Sequence, residues 1–148
     1  QEMWPKVTVV IVNWNGGKFI LECLNGAQKQ SLKEFSIILV DNGSTDGSLE
    51  LVRKNFPEVK IIGLRENLGF AAANNIALEQ IDTKYVSLLN NDAIPQPTWL
   101  ANLVKALDGA PEAEGLGVVA RFGVQLQEDL LRVRQGTLRV RLLALVRG

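Results

Sequence analysis

The sequence predicts an α/β domain in which a mostly parallel sheet is flanked by helices, and three observations predict it. Four runs rich in β-branched and aliphatic residues, Val7–Val12, Ser36–Val40, Val59–Leu64 and Tyr85–Leu89, are continuous rather than alternating, as in strands buried on both faces. Segments with helical spacing of apolar residues separate them, giving a βαβαβαβα order that calls for crossover connections and parallel pairing. A polar, Asn-rich cluster follows each run, where a parallel sheet carries its ligand-binding loops.

Taken in order, the elements form a Rossmann-like series. The first strand leads into Asn13-Trp14-Asn15-Gly16-Gly17, then a helix with Phe19, Ile20, Cys23, Leu24 and Ala27 on one face. The second ends at Asp41-Asn42-Gly43-Ser44; the next helix carries Leu49, Val52 and Phe56, with Asp46 or Ser48 as N-cap and Pro57 as the stop. The third ends at Glu66-Asn67-Leu68-Gly69, before an Ala-rich helix over Phe70–Ile81. The fourth ends at Asn90-Asn91-Asp92, before a helix over Pro97–Leu107 that turns Leu100, Leu103, Val104 and Leu107 inward and stops at Asp108-Gly109. Gly117–Arg121 is a candidate fifth strand.

Composition narrows the chemistry. With 148 residues and 47% hydrophobic content, the chain suits one domain with a real core. Its 16 basic side chains balance 16 acidic ones, which argues against nucleic acid as a partner. The balance hides a shift: all eight Lys precede Ala120, whereas six of the eight Arg lie from Arg121 onward. Having no His, the chain cannot use Ser-His-Asp triads or the usual zinc sites. Cys23 stands alone, which excludes an intrachain disulfide and favours a small core residue in a reducing cytosol. No apolar run is long enough to span a bilayer, and the start lacks a signal-peptide pattern.

The four clusters suit a ligand rich in carbonyls, hydroxyls and phosphates. Asp92 is the metal-ligand candidate: a carboxylate at the end of a buried strand suits Mg²⁺ or Mn²⁺, completed by phosphate and water, to neutralise a departing diphosphate. On spacing alone it serves equally as the cap of the turn before Ile94-Pro95. Asp41, an acceptor when ionised, suits a base N–H such as pyrimidine N3–H. Asn13 and Asn15 suit base or ribose edges, and Gly16-Gly17 allows close backbone approach. Trp14 stacks on the ligand or packs, with packing favoured. Two other motifs fail on context. Gly115-Leu116-Gly117-Val118-Val119-Ala120 matches G-x-G-x-x-A but follows no strand, and Gly16-Gly17-Lys18 is followed by Phe19 rather than Ser or Thr.

Together VTVVIVNWNGG, ILVDNGSTDGS, ENLGFAAANN and SLLNNDAIPQPTWL resemble glycosyltransferase family 2, with the GT-A fold, from about Val7 to about Leu107. The resemblance implies an inverting, metal-assisted transfer of a sugar from a nucleoside diphosphate to an acceptor hydroxyl. The family's Asp-x-Asp corresponds to Asn90-Asn91-Asp92, so Asp92 takes the metal role and Asn90 a weaker polar one. By the same resemblance Asp41 recognises the base, and Asn13 and Asn15 line the nucleoside pocket. Trp14, Asn42, Gly43 and Asn91 belong to the same clusters, and Asn67, Gly69 and Asn74 shape the ribose and diphosphate region. The Asn-Asn-Asp version with VNWNG is similar to rhamnosyl- and galactofuranosyl-type transferases, which implies UDP- or dTDP-sugar donors and polysaccharide or lipid-linked acceptors.

The resemblance divides the chain into a nucleotide-sugar-binding half, 1–120, and an Arg-rich tail, 121–148, and implies that it is incomplete at the C-terminus. Family members carry their catalytic Asp or Glu base in a later acceptor-binding half. Glu128 and Asp129 are the only later acids and are not assigned that role. The tail is expected to form a hairpin over Leu131–Val140; the alternative is a basic amphipathic piece, Leu138–Arg147, touching a membrane surface. The expected location is cytoplasmic, including the inner face of the membrane. Two further functions stay open: a donor-binding module without catalysis, and a sugar nucleotidyltransferase, disfavoured because only Lys18 adjoins the first loop.

Overall fold

The computed structural model describes residues 5–109 and 141–145. The elements run β1 (Val7–Asn13), α1 (Phe19–Gln28), β2 (Phe35–Asp41), α2 (Ser48–Asn55), β3 (Lys60–Gly63), α3 (Phe70–Leu78), β4 (Tyr85–Asn90), α4 (Trp99–Asp108) and β5 (Arg141–Leu145). Among the described residues the strands form one sheet in the order β3-β2-β1-β4-β5, with every pair parallel. Register brings the last residues of β1 and β2, Asn13 and Asp41, side by side, and Val12 opposite Asn90 of β4. Three of the four polar clusters thus start within one or two residues of each other along one edge.

The continuous apolar runs fill a core on both faces of the sheet. Val9, Ile11, Leu39, Tyr85 and Leu89 pack with Ile20, Cys23 and Leu24 of α1, Val52 of α2, and Leu100 and Val104 of α4. Val10, Ile38, Val40, Val86 and Leu88 pack on the opposite face with Ala73, Ala77 and Leu78 of α3. Each buried aliphatic side chain contributes about 1.5–3 kcal/mol relative to exposure.

Several local expectations are corrected. Phe19 does not join the inner face of α1; at the first turn it is 55% exposed. The N-cap of α2 is Gly47 at φ 84, because the chain enters that helix through a left-handed turn, and Asp46 and Ser48 flank it. α3 ends at Leu78, where Gln80 N–H bonds Ala77 O and Ile81 N–H bonds Leu78 O in tightened turns. α4 begins at Trp99. The candidate strand Gly117–Arg121 and the hairpin Leu131–Val140 lie outside the described residues. Arg141–Leu145, within the amphipathic alternative for the tail, pairs with Tyr85–Leu89 as a sheet strand.

Buried Gln30 sets the height of the loop after β4. Its amide nitrogen donates to Gly26 O (3.1 Å) and Gln96 O (2.8 Å), and its Oε1 accepts from Leu100 N (2.9 Å). The loop is thereby tied to the end of α1, where a Cβ on Gly26 would stand 3.0 Å from Pro95 Cδ.

Candidate donor-binding edge

In a right-handed parallel α/β unit each helix starts near the edge where the preceding strand ends, so helix N-termini and strand-end loops share that edge. α1, α2 and α3 begin there without a side-chain cap bond. Their first turns therefore present N–H groups and the positive end of the helix dipole toward the loops.

Asn13 is the hub. It is 0% exposed, and its amide nitrogen faces Asp41 Oδ1 (3.0 Å), Ser48 Oγ (3.1 Å) and Ser44 Oγ (3.3 Å), while its Oδ1 accepts from Asn91 Nδ2 (3.2 Å). An amide with two hydrogens and three acceptors within reach is saturated. A Cβ on Gly16 would collide with Asn13 Oδ1 at 2.2 Å, so glycine there makes room for the hub. Asp41, 1% exposed, accepts from Asn13, from Ser44 N (2.9 Å) and from Ser44 Oγ (2.8 Å). Three of its roughly four lone-pair sites are engaged, leaving one on Oδ2.

The other amides stitch loop to loop. Asn15, at φ 50, donates its backbone N–H to Ser44 Oγ (2.8 Å) and accepts Thr45 N–H on Oδ1 (2.8 Å). Asn42 accepts Leu68 N–H (2.9 Å) and donates to Gly69 O (3.1 Å). Gly43, at φ 81, has no room for a Cβ, which would lie 2.8 Å from Glu66 Cα. Asn67 accepts Gly69 N–H (2.8 Å) across a tight turn, and Gly69 adopts φ 93. The structure thus joins Asn13, Asp41, Asn42, Asn67, Gly69 and Asn91 through direct contacts and Asn15 through Ser44, and Gly43 fits among them.

The remaining expected site residues are placed differently. Trp14 is 53% exposed on the loop after β1 and belongs to neither core cluster. Asn90 is half-buried, and its carbonyl accepts Ala93 N–H (3.1 Å) and the Cys23 thiol (3.4 Å). Asp92 is exposed and makes no hydrogen bond or ion pair among the described residues. Its charge reaches inward: burial first and Asp92 second push the Cys23 thiol up to about 12. Cys23 is therefore a neutral core residue. Asn74, 1% exposed, donates to Phe70 O (2.9 Å), which orients the amide and leaves Oδ1 without a partner.

Sequence reasoning missed Ser44, Ser48 and the second role of Asp46. Ser44 and Ser48 supply the hydroxyls around Asn13, and Asp46 bonds Ser48 and Gly17. Bonds to Ser48 and to Gly17 N–H hold the Asp46 carboxyl below the usual carboxylate range. The spacing in DNGSTDGS could have found them, since Asp followed by Ser two or three residues on is an Asx-turn pattern. A hollow of about 580 Å³ opens at the opposite edge, among Thr8, Phe35, Ser36 and Lys60. It adjoins strand starts, away from the helix N-termini, and no expected site residue lines it.

A parallel sheet flanked by helices, with its exit loops bound together around an acidic strand end, defines a Rossmann-like α/β domain. The sequence profile of Glycosyl transferase family 2 matches residues 8–141, and the chain belongs to that family. The teichoic acid poly(glycerol phosphate) polymerase of Staphylococcus epidermidis is 35% identical over 91 residues, 59% of this chain and 13% of the polymerase. The crystal structure of S. aureus TarS 1-349 in complex with UDP-GlcNAc superposes with a TM-score of 0.68 at 27% identity, covering 82% of this chain and 36% of that TarS chain. Mannosyltransferase PcManGT from Pyrobaculum calidifontis, in complex with GDP-Man and Mn²⁺, gives 0.67 at 28% identity, covering 88% and 38%. The fold is the GT-A type of these neighbours, and the chain spans well under half the length of each relative.

Proposed function

We propose that the chain binds the nucleoside diphosphate of a sugar donor along the strand-exit edge and forms the donor half of an inverting glycosyltransferase. The observation that carries this is the joining of three strand-exit loops by Asn13, Asp41, Asn15 and Asn42, beside a fourth loop that ends in an unengaged carboxylate. In this reading the free lone pair on Asp41 Oδ2 takes the N3–H of a uracil or thymine, and Trp14 offers its exposed ring to the base. The donor is a UDP- or dTDP-sugar. Asn13, whose amide nitrogen and oxygen are both engaged by neighbouring side chains, braces this pocket rather than touching the ligand.

The uncapped first turn of α3 offers N–H groups to the diphosphate. Asn74 suits a ribose hydroxyl better than phosphate, because its unpartnered atom is a carbonyl acceptor and phosphate oxygens are acceptors too. Among the described residues no group of three or more His, Cys, Asp or Glu gathers into a metal cage. A single exposed carboxylate fits a hard cation that takes most of its ligands from phosphate and water. Asp92 would hold Mg²⁺ or Mn²⁺ in that way, and the bound cation supplies neutralisation of the departing diphosphate. The acceptor is a polysaccharide or lipid-linked hydroxyl, met in the cytoplasm or at the inner face of the membrane; no helix among the described residues is long and apolar enough to cross a membrane.

Titration calorimetry of the chain with UDP, dTDP and GDP, with and without Mn²⁺, tests this reading. Metal-dependent heat with UDP or dTDP, lost in Asp92→Ala, is expected; no heat from any nucleotide rejects it. A second reading is donor binding without transfer. Binding with neither transfer nor donor hydrolysis selects it.

A further inference from the structure

We infer that Asp46 is a positioning residue for the nucleoside end of the site, a strut that holds the loop after β1 through the amide of Gly17; this rests on the donor-binding reading. One carboxylate oxygen, Oδ1, closes the turn that leads into α2 by accepting from Ser48 N (3.0 Å) and Ser48 Oγ (2.6 Å). Oδ2 does something that this turn does not require. It reaches back across the edge to accept Gly17 N–H at 2.9 Å.

The loop it holds needs holding. Asn15 and Gly17 both adopt positive φ, at 50 and 56, and a non-glycine residue in that region persists only where its surroundings impose it. Asn15 is tied to Ser44 and Thr45, and Gly17 to Asp46, so the loop is pinned to the β2–α2 loop on both sides of Gly16. Trp14 sits at the start of this loop and is half exposed, so its placement depends on the loop backbone. A carboxylate is the side chain that suits both tasks, since it offers two acceptor oxygens where an amide offers one. Asp46 touches no ligand in this account; it acts through Gly17.

The test uses the 148-residue chain and the variant Asp46→Asn, whose single acceptor oxygen stays with the nearby Ser48 and leaves Gly17 unpartnered. Hydrogen exchange at the Gly17 amide, the thermal midpoint, and the affinity for UDP and dTDP with Mn²⁺ are measured together. Faster exchange at Gly17, a near-native midpoint, and affinity lower by roughly tenfold are expected, the size of one lost charged hydrogen bond. Asp46→Ala, which removes the bonds to Ser48 as well, should lower the midpoint further without weakening nucleotide binding beyond Asp46→Asn. Native affinity in Asp46→Asn overturns the strut while leaving donor binding intact. A wild-type chain that takes up neither nucleotide overturns donor binding itself, and the strut's role with it.

Discussion

The exits of β1, β2 and β3 are built differently from the exit of β4. On the first side the polar side chains face one another: Asn13 and Asp41 are enclosed, Asn42 clamps Leu68 and Gly69, and Asn15 clamps Ser44 and Thr45. On the second, Asn91 leans back on Asn13 while Asp92 projects with no protein partner among the described residues. Preorganised polar groups lose little on meeting a ligand, whereas an unpaired surface carboxylate costs the fold little and stays free for a cation. The stitched side is therefore where removing an enclosed group should damage folding, and the open side is where substitution should damage binding alone.

Asn13→Ala should have the largest effect on stability. It leaves buried Asp41 and Ser48 and half-buried Ser44 with fewer partners, at a cost of about 2–4 kcal/mol. Urea unfolding with an unchanged m-value measures it; a loss below about 1 kcal/mol would mean that the network does not bear on stability. Asp92→Ala sharpens the contrast from the other side. Its unfolding free energy should stay within about 0.5 kcal/mol of wild type while metal-dependent nucleotide affinity falls by about tenfold or more. Comparable stability losses in the two variants would erase the distinction.

Cys23 sits beneath the open side and adds a pH test. Its thiol is pushed from 9.0 to about 12, chiefly by burial, so the folded state keeps a proton that the unfolded state releases as pH rises. The associated stability is fully present below pH 9 and is lost progressively as pH climbs toward 12. By pH 10 the loss is on the order of 1 kcal/mol, read as the difference between the alkaline unfolding curves of wild type and Cys23→Ser. The same burial predicts that thiol reagents at pH 8 label the native chain far more slowly than the urea-unfolded one.

The fold was legible because period and punctuation agree. Val7–Val12 and Tyr85–Leu89 could only be buried strands, and Ile20, Cys23, Leu24 and Ala27 could only face a core. β5 was not legible: Arg141–Leu145 is a short apolar run inside an Arg-rich segment that reads equally as part of an amphipathic piece, and only pairing with β4 defines it. The site was legible as a place but less so as a set of contacts. An Asn at a strand end looks the same whether its amide faces a ligand or a neighbouring loop. Asn13, Asn15 and Asn42 all face loops, a matter of tertiary distance that spacing does not carry. Ser44 and Ser48 were read only as turn and cap residues because hydroxyls in a turn are common.

Asn74 gives the finest test, because it behaves like the open side while lying within a helix. The bond from its amide nitrogen to Phe70 O fixes which end is oxygen, and that oxygen is buried without a partner. An unsatisfied buried acceptor costs about 1–3 kcal/mol, a penalty that a residue kept only for packing would not need to carry. Asn74→Ala removes the acceptor and raises local helix propensity, against the loss of one bond to Phe70 O. The balance should leave stability unchanged or higher by up to about 1 kcal/mol, while affinity for UDP falls several-fold and affinity for inorganic pyrophosphate, which has no ribose, does not. Equal losses for both ligands would place Asn74 at the diphosphate, and a marked loss of stability with unchanged affinity would make it a helix residue and nothing more.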